Sequence, residues 1–345
     1  MSARGSEHPA TGMDGEAWGF RPRVAHEADL KREVMVSTNA LSRLIVAHPH
    51  SVRTEGLRLV HRLIFRLHGI SPNSVLNEGP PPAAVSFSVA GDLLRLARAM
   101  RAEAYDPARG LVDYRALAIS PAYAEFRECS RRLRSFDLAT LNGRETRLAF
   151  WINLYNALIV DAVIQCGVRQ TVNEVPGFFW RAAYAIGGLR FCAFDIEYGI
   201  LRANAPHPAI PGAHFGPRDP RRRHRLAGLD PRIHFALVCA ARSCPPIAVY
   251  EPERIDAQLD LAARAFINGG GVAVDRGSGE VRLSPIFQWY APDFGARPWA
   301  PGDRRPLLEF VTRYLWDNHH RELALRGKPK VRFLAYDWSL NLSNP

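Results

Sequence analysis

The chain is expected to fold as an α+β domain, with helices packed around a small, mostly antiparallel sheet. Three observations predict this. Helical periods fill the first half, and one long helix is apolar almost all the way round. The strand candidates that follow are short, and two pairs are joined by glycine-containing turns, the pattern of hairpins rather than of parallel βαβ units.

Residues 1–29 are polar, rich in Gly, Glu and Arg, and lack an apolar stretch of signal-peptide type. They read as a disordered tail. Residues 30–85 read as a helical lead-in, with Leu41, Leu44 and Ile45 in one helix, Leu57, Val60, Ile64 and Leu67 in the next, and Pro49 between them. His48, His50, His61 and His68 decorate these helices without Cys, Asp or Glu at ligand spacing, which favours surface positions over a metal site. The run from Gly79 to Pro82 reads as a stiff linker.

The main domain is expected over residues 86–341. Its first helix takes Asp92 as cap, and short helices continue to Phe136. Asn142 and Glu145 have capping-box spacing for a long helix, Arg144–Gln165, which Gly167 closes. Tyr184–Ile186 and Leu189–Ala193 read as a hairpin turned by Gly187 and Gly188. Arg232–Cys239 reads as a strand, because it is a continuous apolar run after a Pro/Gly/Arg loop. Helix Glu253–Ile267 puts Ile255, Leu259, Ala263 and Phe266 on one face, and Gly269 to Gly271 stop it. Val272–Val274 with Val281–Leu283 form a second hairpin, before a last helix, Pro306–Asp317, and a strand, Val331–Leu334.

Composition narrows the function classes. No window approaches the run of about 18 uninterrupted apolar residues that a transmembrane helix needs. Five scattered cysteines argue against a disulfide scaffold and favour a reducing cytoplasm. The net charge of +11 is mostly arginine, densest in the Pro-rich segment Arg218–Arg225. That segment is expected to be a solvated loop, with weak contact to a polyanion as its alternative role. Neither interleaved aromatics nor a nucleic-acid motif accompanies it.

The chemistry concentrates between Arg232 and Pro246, where His234, Cys239, Arg242 and Cys244 fall together. A thiol needs a base and a positive environment to ionise at neutral pH, and His234 and Arg242 supply those types. Cys239 continues an apolar run and reads as a core residue, whereas packing gives no reason for a thiol at Cys244, ahead of Pro245 and Pro246. A strand from His234 to Cys239 followed by the loop lets Cys244 barely return to His234, so His207 and His214 are alternative partners. A zinc site from the two cysteines lacks two further ligands, and neither metal nor cofactor is expected. On the central helix Asn153 and Asn156 share one face in apolar surroundings. They either tie loop backbones to the helix or line a polar cleft that binds substrate. Glu197 and Arg202 leave the same choice between a structural ion pair and a binding role.

Five segments also resemble one family. The Arg232–Pro246 stretch is similar to the HFALNCGA(K/R)SCPP signature of DUF547, a domain of unknown function. Ala149–Leu158 is similar to its FWINLYNAL helix, and Phe194–Arg202 to its IEHGILR segment. Leu283–Gly295 and Tyr336–Asn341 are similar to its last two motifs, so the resemblance spans residues 90–341. Val238, Ala240 and Tyr198 stand where the family usually has Asn, Gly and His. The order of elements also resembles, distantly, a papain/transglutaminase-like core, with a histidine on a strand beside the long helix. The family implies no settled reaction. The residues suggest a thiol-dependent hydrolase or acyltransferase, with Cys244 as nucleophile and His234 as base, acting on an unidentified small molecule or peptide. The alternative is a non-catalytic interaction module shaped by the Cys-Pro-Pro loop.

Overall fold

A Ser88 side chain accepting the Gly91 N–H opens the first complete helix, Val89–Ala104 (α1). Asp92, expected as the cap, sits in the first turn instead, where it pairs with Arg132 at 2.7 Å. The structure is a computed structural model that describes residues 63–80, 88–207, 212–275, 277–297, 300, 302–317 and 329–343. The tail 1–29, most of the helical lead-in with His48, His50 and His61, and Pro81 and Pro82 lie outside the described residues.

After α1 come a short hairpin, Tyr105–Asp106 (β1) with Leu111–Val112 (β2), and two helices, Tyr114–Ala118 (α2) and Pro121–Arg132 (α3). Ser120 caps α3, and Pro121 occupies its first position, where no N–H is needed. The long helix Arg144–Gln165 (α4) has the expected bounds, and every residue from Leu148 to Val163 is buried. Apolar side chains ring it, so no face can turn to water. The expected capping box does not form: Gly143 holds the cap position without a side-chain bond, and Glu145 lies 3.6 Å from Arg144. Asp161 is the buried charge of α4. It accepts bonds of 2.7 Å from both Tyr123 and Tyr184 hydroxyls and pairs with Arg127 at 3.0 Å, which joins α3, α4 and the next hairpin. Among the described residues α4 is the one helix long and apolar enough to cross a membrane, and it lies inside the core.

Helix Phe178–Arg181 (α5) leads into the hairpin Ala183–Ile186 (β3) with Leu189–Cys192 (β4). Gly187 and Gly188 turn it with φ of 55° and 76°, a pair of left-handed conformations that side chains resist. Residues of the lead-in dock here: Leu76 donates to the Ala183 carbonyl, and Asn77 bonds Ser130 and Ala185.

Arg232–Cys239 is not a strand. Asp230 caps a 3-10 helix, Pro231–Phe235, by accepting the Arg232 N–H. An Asp-Pro pair is a helical start signal, and here it overrides the β propensity of the apolar run. Ile233 joins the core around α4 while Phe235 joins a second core with Phe287, Phe294 and Phe310. His234 therefore sits between two apolar clusters. Because this histidine lies on a helical turn, the papain/transglutaminase-like resemblance is not supported.

The second core is covered by Ile255–Phe266 (α6), Pro285–Trp289 (α7) and Arg305–Thr312 (α8), which ends before the expected Asp317. Val272–Val274 (β5) and Val281–Leu283 (β6) pair antiparallel, and Val331–Phe333 (β7) adds parallel to β6. The architecture is α+β.

Candidate functional site

The last described segment clasps the cysteine loop. Arg242 and Ser243 donate to the Ser339 and Asp337 carbonyls, and Asn341 donates to the Ala240 carbonyl at 2.9 Å. Asp337 N–H is held in turn by Ser243 Oγ at 2.8 Å. These bonds bring Tyr336 over the loop. Cys239 and Cys244 are joined by a disulfide, with Cα atoms 6.2 Å apart. The Tyr336 hydroxyl lies 3.1 Å from Cys239 Sγ and 3.3 Å from Cys244 Sγ, and the Cys239 N–H donates to Cys244 Sγ at 2.9 Å. Cys239 is half-buried like Cys244, so it is not the wholly enclosed core residue expected. Ala240, between them, has φ of 64°. That left-handed conformation is easier for glycine, the residue the resembling family usually has there.

Beside this loop lies a buried polar network. The π-helical stretch Asp195–Leu201 carries Glu197, whose carboxylate accepts the Tyr155 hydroxyl at 3.2 Å and the Tyr290 hydroxyl at 2.5 Å. Since Tyr290 donates to Glu197, the 3.3 Å contact between Tyr198 and Tyr290 is donated by Tyr198. Burial, reinforced by the Glu197 charge, raises the pKa of Tyr155, Tyr198, Tyr290 and Tyr336, so all four remain phenols and donors. Gly199 allows this packing: a Cβ there would fall 2.1 Å from the Phe215 ring.

Arg202 and Glu197 are not paired with each other by direct contact. Arg202 forms a two-pronged bond with Asp293, at 2.6 and 2.8 Å, and stacks over Tyr198 and Tyr290. His234 Nε2 lies 2.8 Å from the same Asp293, and its ring stacks on Tyr290 with centroids 3.9 Å apart. Burial acts to raise the Asp293 pKa, but the bonds from His234 and Arg202 outweigh it and hold the carboxyl below its usual range. An ionised Asp293 accepts, so His234 Nε2 carries the proton in this contact. Cys244 is thus bonded to Tyr336 and Cys239 N–H rather than to His234. Of the other candidate bases, His214 bonds Asp195 at 2.9 Å and His207 packs edge-on against Tyr198 and Phe194.

Both asparagines of α4 hold backbone. Asn153 donates to the Tyr250 carbonyl and accepts its N–H, and Asn156 does the same between Ala236 O and Val238 N. Each carboxamide replaces a missing strand for a loop on either side of the cysteines, which satisfies the buried backbone. Arg242 reaches Ser339 through its backbone N–H, and the residue is exposed.

The segment Arg218–Arg225, expected to be a solvated loop, is packed in part. Arg221 is not solvated: it pairs with Asp195 at 2.7 Å and Asp219 at 2.8 Å and lies over the Phe215 ring. Burial opposes the charge on Asp195, but Arg221 and His214 depress its pKa strongly. Arg222 and Arg223 are exposed.

Sequence reasoning missed Tyr155, Tyr290, Asp293 and Tyr336 as members of the site. Their one signal was placement: each lies in a segment that resembles a family motif. Among the described residues no cluster of three or more His, Cys, Asp or Glu side chains has metal-site geometry.

Comparison with known proteins finds a family match for part of the chain. Residues 138–267 fit the model of a family described as "Protein of unknown function, DUF547". No curated protein and no solved structure matches the chain significantly. The matched region runs from before α4 through the cysteine loop to the end of α6, and on that ground residues 138–267 of this chain are a DUF547 domain.

Proposed function

We propose that this protein works through the thiol of Cys244, as a hydrolase or acyltransferase acting on a carbonyl group of a small molecule or peptide. The observation that carries this reading is the surroundings of Cys244 Sγ, which faces two donors, the Cys239 N–H and the Tyr336 hydroxyl. Donors aimed at sulfur favour thiolate over thiol. The three cysteines outside the loop have the opposite environment: burial pushes the Cys129 thiol up to about 11 and raises Cys166 and Cys192 as well.

In the reduced protein, the Cys244 thiolate attacks the carbonyl carbon, the leaving group departs, and the thioester passes to water or to an acceptor. His234, with Asp293 on Nε2, is a positioning residue in this reading: its ring backs Tyr290, which bonds Glu197. The functional unit is taken to extend over residues 86–341, because Asp293 and Tyr336 lie beyond the matched region. A reducing, cytoplasmic setting suits a free thiolate. Weak polyanion contact is assigned to the exposed part of Arg218–Arg225, where Arg223 and His224 line a cleft with Arg147.

The test is a p-nitrophenyl acetate burst measured on fully reduced protein. The reading expects about one p-nitrophenolate per chain, lost in Cys244→Ala and kept in Cys239→Ala. A reduced, folded protein with no burst would remove it. A second reading, a non-catalytic interaction module, is favoured by one observation. Trp289, Tyr336 and Trp338 form a half-exposed aromatic group at the Cys-Pro-Pro loop, with centroids 4.7–5.6 Å apart.

A further inference from the structure

A nucleophile tied up in a disulfide cannot act until the bond opens. We infer that Cys239 and Cys244 form a dithiol–disulfide couple which exchanges with a small thiol, and that this exchange controls when Cys244 is available. The control rests on the thiol reading above; the exchange itself does not.

Three features support the couple. The two sulfurs belong to half-buried residues, so a small thiol has access that the buried Cys129 and Cys192 do not give. Both ends of the loop are fastened, Ala240 to Asn341 and Arg242 and Ser243 to Ser339 and Asp337. That clasp does not depend on the disulfide, so the sulfurs remain neighbours when the bond is open and re-form it without a search. The Cys239 N–H points at Cys244 Sγ alone, while the Tyr336 hydroxyl reaches both sulfurs. Cys244 is therefore the better leaving group.

The step follows from that asymmetry. An incoming thiolate attacks Cys239 Sγ, a new S–S bond forms there, and the Cys239–Cys244 bond breaks with its electron pair leaving on Cys244. A second thiolate attacks the sulfur of the attached small thiol, forms a small-molecule disulfide and releases the Cys239 thiolate. Two small thiols are oxidised to one disulfide, and the protein disulfide is reduced to two cysteines. The two protons from the small thiols are available to Cys239 and Cys244.

The chain itself supplies the assay, because trypsin cuts after Arg242, between the two cysteines. The full chain is equilibrated in mixtures of reduced and oxidised glutathione, quenched in acid, alkylated and digested. The peptides Ile233–Arg242 and Ser243–Arg254 should be linked in oxidising mixtures. They should separate together, both alkylated, at one shared midpoint. Cys244→Ser should accumulate glutathione on Cys239, the sulfur that carries the small thiol in the mixed disulfide. Recovery of the peptides unlinked at every ratio, or linked at every ratio, would overturn the couple. Glutathione absent from Cys239 in folded Cys244→Ser would overturn the assigned order of attack. Exchange without an ester burst in reduced protein removes the acyl-transfer reading and leaves the couple standing. A burst of equal size in linked and separated protein removes the control.

Discussion

Tyr336 and Cys244 meet at 3.3 Å across 92 residues of chain. The contact depends on the closing segment lying along the cysteine loop, held by backbone bonds from Arg242, Ser243 and Asn341. Losing the Tyr336 hydroxyl should therefore affect sulfur reactivity more than folding. Tyr336→Phe is expected to slow iodoacetamide labelling of reduced Cys244 several-fold with little change in melting temperature, since one donor to sulfur is lost. Unchanged labelling kinetics would mean that the hydroxyl does not act on the thiol.

Asn156→Leu leaves the Ala236 carbonyl and the Val238 N–H buried without their partner. Each such group costs about 1–3 kcal/mol, so the variant should melt well below the parent. A variant that keeps its melting temperature would show that those loop groups find other partners.

The arginines of the basic loop should separate into two classes. Arg221→Ser takes one partner from the buried Asp195, which keeps His214 and the Cys192 N–H, and should cost about 1–3 kcal/mol. Arg222→Ser and Arg223→Ser change exposed side chains and should stay within about 0.5 kcal/mol. Urea denaturation of the three single variants decides, and equal midpoints would contradict the packing of Arg221.

Stability should fall with acid through Asp293. Its carboxyl pKa is depressed in the fold: burial alone would raise it, but His234 and Arg202 prevail. A depressed carboxylate contributes stability above its unfolded value of about 3.9 and loses that contribution as pH falls towards its native value. Asp293→Asn should be less stable than the parent near neutrality and should lose less on going from about pH 5 to pH 2. Urea midpoints across that range measure both slopes, and parallel slopes would refute the assignment.

Ala240→Gly should stabilise the fold by up to about 1 kcal/mol. It relieves the left-handed backbone at φ of 64°, and the greater unfolded-state freedom of glycine takes back part of the gain. Thermal denaturation of oxidised parent and variant reads the difference.

The sequence alone determined what depends on neighbours in the chain. Helix α4, the Gly187–Gly188 hairpin and the β5–β6 pair fall close to where periodicity and turn residues put them, because burial period and backbone preference are local. It also marked Cys244, His234, Asn153, Asn156, Glu197 and Arg202 as residues needing an explanation. Tertiary structure decided their partners. The run from Ile233 to Val238 reads as a core strand by its own residues, but the Asp230-Pro231 start signal before it makes it a helical turn, and Asn156 on a distant helix completes its backbone bonds. Asp293, 59 residues after His234, takes its imidazole. A polar side chain chooses among partners by where packing delivers it, and that choice is made by both hydrophobic cores together rather than by any one segment.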